Sequence, residues 1–133
     1  MSHPVAVDAM GGDRAPAEVV RGAIRAVEEV EGLRVDLVGA EADIRQELEA
    51  AGWQGESISM VPATEAIGMG ESPVEAVRAK KDSSIVVGLK RVRDGKSSAF
   101  VSAGNTGAAV AASSLFLRTL PEVTKAGIAV VLK

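Results

Sequence analysis

Short apolar runs alternate along the chain with longer segments in which apolar residues recur every three or four positions. The short runs predict strands at 5–7, 35–39, 58–61, 99–101 and 128–132. The longer segments predict helices at 15–30, 41–51, 73–81, 84–93 and 105–118. Strands that alternate with helices indicate βαβ units, and near-continuous apolar strands indicate a sheet covered on both faces. The pattern therefore predicts a three-layer, doubly wound α/β fold with a mostly parallel sheet.

The best-marked helix start lies at Ser72, just before the predicted helix at 73–81. Ser72 occupies the N-cap position, Pro73 the first helical position and Glu75 the third. This arrangement is typical of a capping box, in which the Ser and Glu side chains satisfy backbone N–H groups at the start of a helix. We therefore predict a capping box here.

The 133 residues suit one domain, and a hydrophobic fraction of 47% is ample for a core. No helix follows the last predicted strand at 128–132, so one face of the sheet would stay uncovered. We therefore expect residues 1–133 to form a single α/β domain that is incomplete by itself and is the N-terminal portion of a longer enzyme. A small flavodoxin-sized domain is the alternative.

Composition excludes several classes of function. Net charge is −3, acidic and basic residues are interspersed, and the only aromatic residues are Trp53, Phe100 and Phe116, so a nucleic-acid surface is not expected. The absence of cysteine excludes disulfides, thiolate metal sites and a cysteine nucleophile. His3 is the one histidine, and we expect no metal site. Because no long apolar run or signal-peptide pattern occurs, we expect a soluble, cytoplasmic protein.

Two glycine-bearing loops, at residues 8–13 and 102–108, each follow a predicted strand and precede a predicted helix. Ligands of doubly wound sheets bind at this edge, where glycines allow close approach and helix N–H groups favour anions. Neither loop matches a Walker A or GxGxxG motif, so nucleotide binding has little support. Ordinary turn chemistry is the alternative for each loop. Asp8 and Asp13 could orient a ligand, although Asp13 could instead be the N-cap of the following helix.

The densest basic and polar cluster lies between the two loops, at residues 78–84. Arg78, Lys80 and Lys81 could clamp an anion, with Ser83 and Ser84 supplying hydrogen bonds. A solvated helix face is the alternative interpretation of such a charge run.

Three segments together resemble one known family. They are VAVDAMGGDRAP at 5–16, SPVEAVRAKKDSS at 72–84 and FVSAGNTGA at 100–108. These segments are similar in sequence and order to the PlsX-type phosphate acyltransferases of bacterial phospholipid synthesis. The resemblance covers essentially the whole chain, although members of that family are more than twice as long.

The resemblance implies transfer of a long-chain acyl group from acyl carrier protein to inorganic phosphate, giving an acyl phosphate. It also implies a fold like isopropylmalate dehydrogenase and phosphotransacetylase, a homodimer, no cofactor, and peripheral association with the inner face of the membrane. We expect the 133 residues alone to be inactive. The alternatives are a phosphotransacetylase-like enzyme that uses acyl-CoA, and a non-catalytic module that binds a phosphorylated metabolite.

The candidate site combines the two loops with the basic cluster. We predict catalytic roles for Asn105, Lys81 and Asp8. The predicted phosphate-binding residues share a place in one loop or in the cluster: Gly11, Gly12, Asp13, Arg78, Lys80, Ser83, Ser84, Ser102, Gly104, Thr106 and Gly107.

Overall fold

The computed structural model describes residues 3–132, in which four strands form one parallel sheet and five helices flank it. The strands are β1 (Val5–Asp8), β2 (Val35–Gly39), β3 (Ile58–Pro62) and β4 (Ala99–Val101). The helices are α1 (Ala17–Glu29), α2 (Glu41–Ala50), α3 (Pro73–Ala79), α4 (Ser84–Arg93) and α5 (Thr106–Phe116). The predicted bounds of β2, α4 and β4 are confirmed without change.

The sheet has the order β3-β2-β1-β4, and every neighbouring pair is parallel. β1 is central: Val5 pairs with Val35 of β2 on one side and with Ala99 of β4 on the other. The parallel α/β class is therefore confirmed. Because parallel strands end at the same edge, the loops after β1 and β4 are neighbours.

Alternating side chains of the strands supply two separate cores. Leu37 of β2 packs with α1 and α2 residues such as Val20 and Ile44, whereas Val38 packs on the other face near Val87 of α4. Helices thus pack on both faces of the sheet, as the apolar character of the strands predicted.

A partly buried ion pair joins α4 to the sheet. Asp36 of β2 is 5% exposed, and one of its carboxylate oxygens lies 2.7 Å from Nη2 of Arg91. Arg91 Nε also donates to the hydroxyl of Ser97 at 3.3 Å. This contact attaches the last turn of α4 to the middle of the sheet.

The predicted fifth strand at 128–132 is wrong for this structure. After α5 the chain passes through Arg118 and Glu122, both at positive φ, and then runs without a strand partner through the rest of the described residues. Val131 is 90% exposed and Leu132 88% exposed. The apolar run has the composition of a strand, but a strand also needs a neighbouring backbone to pair with, and the pattern of one segment does not supply it.

Helix ends also differ from prediction. α1 begins at Ala17 with Pro16 at its N-cap and no side-chain cap, so the interpretation of Asp13 as a cap is wrong. Ser72 does sit at the N-cap of α3 with Pro73 following, yet its side chain makes no capping bond. α3 is short and ends at Ala79.

Within residues 3–132, no helix is both long enough and apolar enough to cross a membrane.

Candidate functional site

The two glycine loops touch at the carboxyl edge of the sheet. A Cβ atom built on Gly11 would lie 2.6 Å from Asp8 Oδ2 and 2.8 Å from the backbone nitrogen of Gly104. A Cβ on Gly104 would lie 3.2 Å from the Cα of Gly11. The loops can approach this closely only because both residues lack a side chain.

Asp8 joins the two loops through hydrogen bonds. Its Oδ1 accepts from the N–H of Met10 at 3.1 Å, and its Oδ2 accepts from the hydroxyl of Ser102 at 2.7 Å. The Ser102 oxygen in turn accepts from the N–H of Gly104 at 3.0 Å. The predicted residues Asp8, Gly11, Ser102 and Gly104 therefore form one continuous cluster.

Several backbone N–H groups at these loops have no hydrogen-bond partner in the part of the chain that the structure describes. They belong to Thr106 and Gly107, in the first turn of α5, and to Gly12 and Asp13 in the first loop. The first N–H groups of a helix are unpaired within the helix and carry its positive dipole end. Thr106 and Gly107 can therefore donate to an anion with the support of the helix dipole. Gly12 and Asp13 lie before α1, so their N–H groups, which are also unpaired in the described residues, do not carry a helix dipole.

Asn105 lies at the N-cap of α5 and uses both ends of its side-chain amide. Its oxygen accepts from the N–H of Ala108 at 3.0 Å, and its nitrogen donates to the carbonyls of Gly68 and Glu71, each at 3.1 Å. The residue is 6% exposed. Asn105 thus links α5 to the segment at 68–71, and its predicted catalytic role stays a prediction.

Lys80 is also bound to this segment. Its ammonium group donates to the carbonyl of Ala66 at 2.8 Å and lies 2.9 Å from Glu71 Oε2. The pKa of the Glu71 carboxyl is lowered, mainly because it accepts from the N–H of Gly68 and also because Lys80 donates to it. The charge of Lys80 is therefore compensated by Glu71.

The two serines of the basic cluster are buried and serve the start of α4. Ser83 caps the helix by accepting from the N–H of Val86, and the N–H of Ser84 donates to the carbonyl of Glu65. Arg78 and Lys81 are exposed and form no ion pair within residues 3–132. The structure thus separates the cluster into Lys80, Ser83 and Ser84, with internal partners, and two solvated cations.

Sequence reasoning missed Thr64 and Glu65, which follow β3, and their contacts with Asp82 at the end of the basic cluster. Asp82 accepts from both the hydroxyl and the N–H of Thr64, at 2.6 and 2.9 Å, and these bonds lower the pKa of its carboxyl. Glu65 accepts from the N–H of Asp82. These contacts hold the α3–α4 turn against the end of β3. The signal available in the sequence was the acidic residues that flank the basic ones, at positions 65, 71 and 82.

An apolar groove of about 710 Å³ opens beside the first loop. It lies between α1 and the β1–β4 part of the sheet, with Val7, Val19 and Val101 among its lining residues, and it reaches Gly11 and Gly12 at one end. Val101 is 54% exposed. The predicted site residues therefore border an uncovered apolar part of the sheet.

Comparison with known proteins agrees with the resemblance found in the sequence. A family model described as "Fatty acid synthesis protein" matches residues 4–132. The chain belongs to this family. A protein named phosphate acyltransferase from Halothermothrix orenii is 41% identical over 127 residues, which are 96% of this chain and 38% of the relative.

Two further relatives carry the same name. The phosphate acyltransferase of Fusobacterium nucleatum is 47% identical over 126 residues, covering 95% of this chain and 38% of the relative. That of Desulfitobacterium hafniense is 47% identical over 131 residues, covering 96% and 38%. The chain thus spans less than two fifths of the length of these relatives, and the family match includes both glycine loops.

Proposed function

We propose that this protein binds inorganic phosphate for an acyltransferase reaction of lipid synthesis, in which a fatty acyl group passes from acyl carrier protein to phosphate. The contact between the loops of Gly11 and Gly104 is the observation that carries the proposal. It brings two sets of unpaired N–H groups to one edge of the sheet. Membership of the family and the name shared by its relatives support acyl transfer to phosphate.

The proposed chemistry needs positioning more than a reactive side chain. Near neutral pH inorganic phosphate is a mixture of its monoanion and dianion, so one of its charged oxygens can attack the thioester carbonyl directly. The new C–O bond forms first and leaves negative charge on the carbonyl oxygen. The C–S bond then breaks as the carbonyl re-forms, and the thiolate leaves with its carrier. A thiol with a pKa of about 8.5 departs with little help from an acid. The protein must then align the reactants and stabilise the oxyanion, which backbone N–H groups can do.

Thr106 and Gly107 supply the donors in this proposal, together with Gly12 and Asp13 across the loop contact. Their N–H groups are unpaired in the described structure, whereas that of Gly104 is already bonded to Ser102. Arg78 and Lys81 are exposed, and Arg78 lines a groove with Ala111 and Leu115 of α5 that contains no residue of either glycine loop. No cofactor has a part in this scheme.

The donor, assembly and location are part of the same proposal. Acyl carrier protein as donor, a homodimer, and a cytoplasmic protein that associates peripherally with the membrane follow from the family resemblance. A phosphotransacetylase-like reaction with acyl-CoA, or phosphate binding without turnover, would use the same loops.

The phosphate site can be tested by replacing Thr106 with proline. Proline lacks an N–H but is tolerated at the first helical position, and the extended backbone of Asn105 (φ −63°, ψ 107°) suits a residue before proline. Thr106→Pro should therefore weaken phosphate binding, measured by NMR titration, while α5 stays folded. Thr106→Ala separates the effect of the side chain from that of the N–H.

Glu41→Pro is the matched control, because Glu41 begins α2 at the same edge of the sheet but outside both loops. If Thr106→Pro and Glu41→Pro bind phosphate equally well, the site lies elsewhere. A second assay uses the full-length protein, because we expect residues 1–133 alone to be inactive. It traps acyl phosphate with hydroxylamine after incubation with acyl carrier thioester or acyl-CoA, and it counts only the hydroxamate that depends on added phosphate. Turnover with acyl-CoA alone would favour the phosphotransacetylase-like alternative, and phosphate binding without turnover would favour the non-catalytic module.

A further inference from the structure

Asp8 is a buried carboxylate without a cationic partner. It is 2% exposed, and no Lys or Arg side chain forms an ion pair with it within residues 3–132. Its partners are one backbone N–H and one hydroxyl. Burying a charge is unfavourable unless it is well compensated, and a neutral side chain would avoid that penalty. Stability alone therefore does not explain why a carboxylate occupies position 8.

The hydrogen bonds of Asp8 explain the carboxylate, because its two oxygens accept from different loops. Oδ1 binds the first loop at Met10, and Oδ2 binds the second at Ser102. The Ser102 proton is committed to Asp8, so the hydroxyl oxygen is oriented to accept from Gly104. A carboxylate has an acceptor for each of two donors, whereas an amide has a single acceptor oxygen.

We propose that Asp8 is a positioning residue, which acts through Ser102 to hold the 102–107 loop so that the N–H groups of Thr106 and Gly107 face the phosphate. This proposal rests on the proposed function. In it, Asp8 touches neither the phosphate nor the acyl group. Ser102 is an internal link as well, because its one hydroxyl proton is donated to Asp8 and so is not available for phosphate.

Asp8→Asn separates this role from simple electrostatics by the sign of its effect. If the charge of Asp8 acted on phosphate alone, removing it would relieve repulsion and tighten phosphate binding. If Asp8 positions the loop, the variant weakens binding, because Met10 or Ser102 loses its acceptor. Loss of a hydrogen bond to a charged group corresponds to a change of about tenfold or more in affinity.

The test is a titration of the ¹⁵N-labelled protein with inorganic phosphate, followed at the amides of Thr106 and Gly107. We expect Asp8→Asn and Ser102→Ala each to weaken binding by about tenfold. Ser102→Thr keeps the hydroxyl and should restore affinity, which a general loss of stability would not predict. Tighter or unchanged binding in Asp8→Asn, or wild-type affinity in Ser102→Ala, would overturn the proposal.

Two controls lie outside the cluster. Ser98→Ala removes a hydroxyl that bonds to the carbonyls of His3 and Pro4 at the opposite end of β4. Asp36→Asn changes a buried carboxylate whose partner is Arg91. We expect both to leave phosphate affinity unchanged, although Asp36→Asn should lower stability.

Hydrogen exchange at the Gly104 amide, without phosphate, tests the loop contact independently. Exchange should accelerate in Asp8→Asn and Ser102→Ala but not in Ser98→Ala, because only the first two disturb the acceptor of that N–H. Unchanged exchange in both site variants would refute the proposal. If wild-type protein binds no phosphate, the proposed function fails, and the exchange result still decides whether Asp8 fastens the loops. Should Asp8→Asn fail to fold, Ser102→Ala and Ser102→Thr decide alone.

Discussion

Gly11→Ala tests whether the contact between the two loops is as tight as the structure shows. The added methyl group would lie 2.6 Å from Asp8 Oδ2, 2.8 Å from the Gly104 nitrogen and 2.9 Å from Ser102 Oγ. The Gly104 nitrogen is backbone, and the other two atoms belong to short, hydrogen-bonded side chains. None can move aside without breaking the chain of bonds from Asp8 through Ser102 to Gly104.

The expected cost follows from these contacts. Overpacking at such a site costs about 1–3 kcal/mol, and a buried polar group that loses its partner costs about another 1–3 kcal/mol. Gly11 does not have a positive φ, so alanine gains about 0.4–1 kcal/mol from the lower entropy of the unfolded chain. We expect Gly11→Ala to lower the free energy of unfolding by about 2–4 kcal/mol.

The assay is urea unfolding followed by circular dichroism, with Gly22→Ala as the matched control. Gly22 lies within α1, and a Cβ there would meet no atom within 4 Å. Alanine is the better helix former, so Gly22→Ala should raise the free energy of unfolding by about 0.5–1 kcal/mol. Replacing glycine with alanine should thus lower the free energy of unfolding at position 11 and raise it at position 22. A Gly11→Ala protein within about 0.5 kcal/mol of wild type would show that the loops are not packed as described.

Two further predictions concern the segment at 66–71. Asn105→Asp keeps the cap of α5 but places an acceptor opposite the carbonyls of Gly68 and Glu71. It should therefore destabilise the protein by about 1–3 kcal/mol and speed hydrogen exchange in the 68–71 segment. Exchange as slow as in wild type would contradict this. The lowered pKa of Glu71 means that its ionised form stabilises the fold above its ordinary pKa of 4.5, and that this contribution is lost as pH falls through the lower folded pKa. Unfolding free energy measured against pH should therefore fall more steeply below about pH 4.5 in wild type than in Glu71→Gln, and equal slopes would refute the reasoning.

The alternation of apolar runs and amphipathic segments was enough to predict the parallel sheet and the position of both glycine loops. β2 and α4 were predicted with their observed bounds because a polar or turn residue marks each end. The strand predicted from the apolar run at 128–132 was wrong, because a strand forms only where a neighbouring backbone can pair with it, and the composition of the segment does not show whether one is present. Asp13 misled as well, because an N-cap depends on where the backbone turns, and the turn comes at Pro16.

The partners of the polar side chains could not be predicted. Asn105 was predicted to be catalytic and Lys80 to bind phosphate, because amides and ammonium groups can donate to an anion. In the structure they bind carbonyls of the 66–71 segment, which the sequence marked only as a loop. The contact joins residues 34 to 37 positions apart in the case of Asn105, and only the fold brings them together.

The double use of Asn105 has a consequence for how ligand occupancy could be sensed. The side-chain amide of Asn105 connects the start of α5 to the 68–71 segment, so a displacement of the helix start would also displace that segment. Met69 sits within it and is 58% exposed. The NMR methyl resonance of Met69, an exposed side chain, should therefore change when a ligand binds at the buried start of α5.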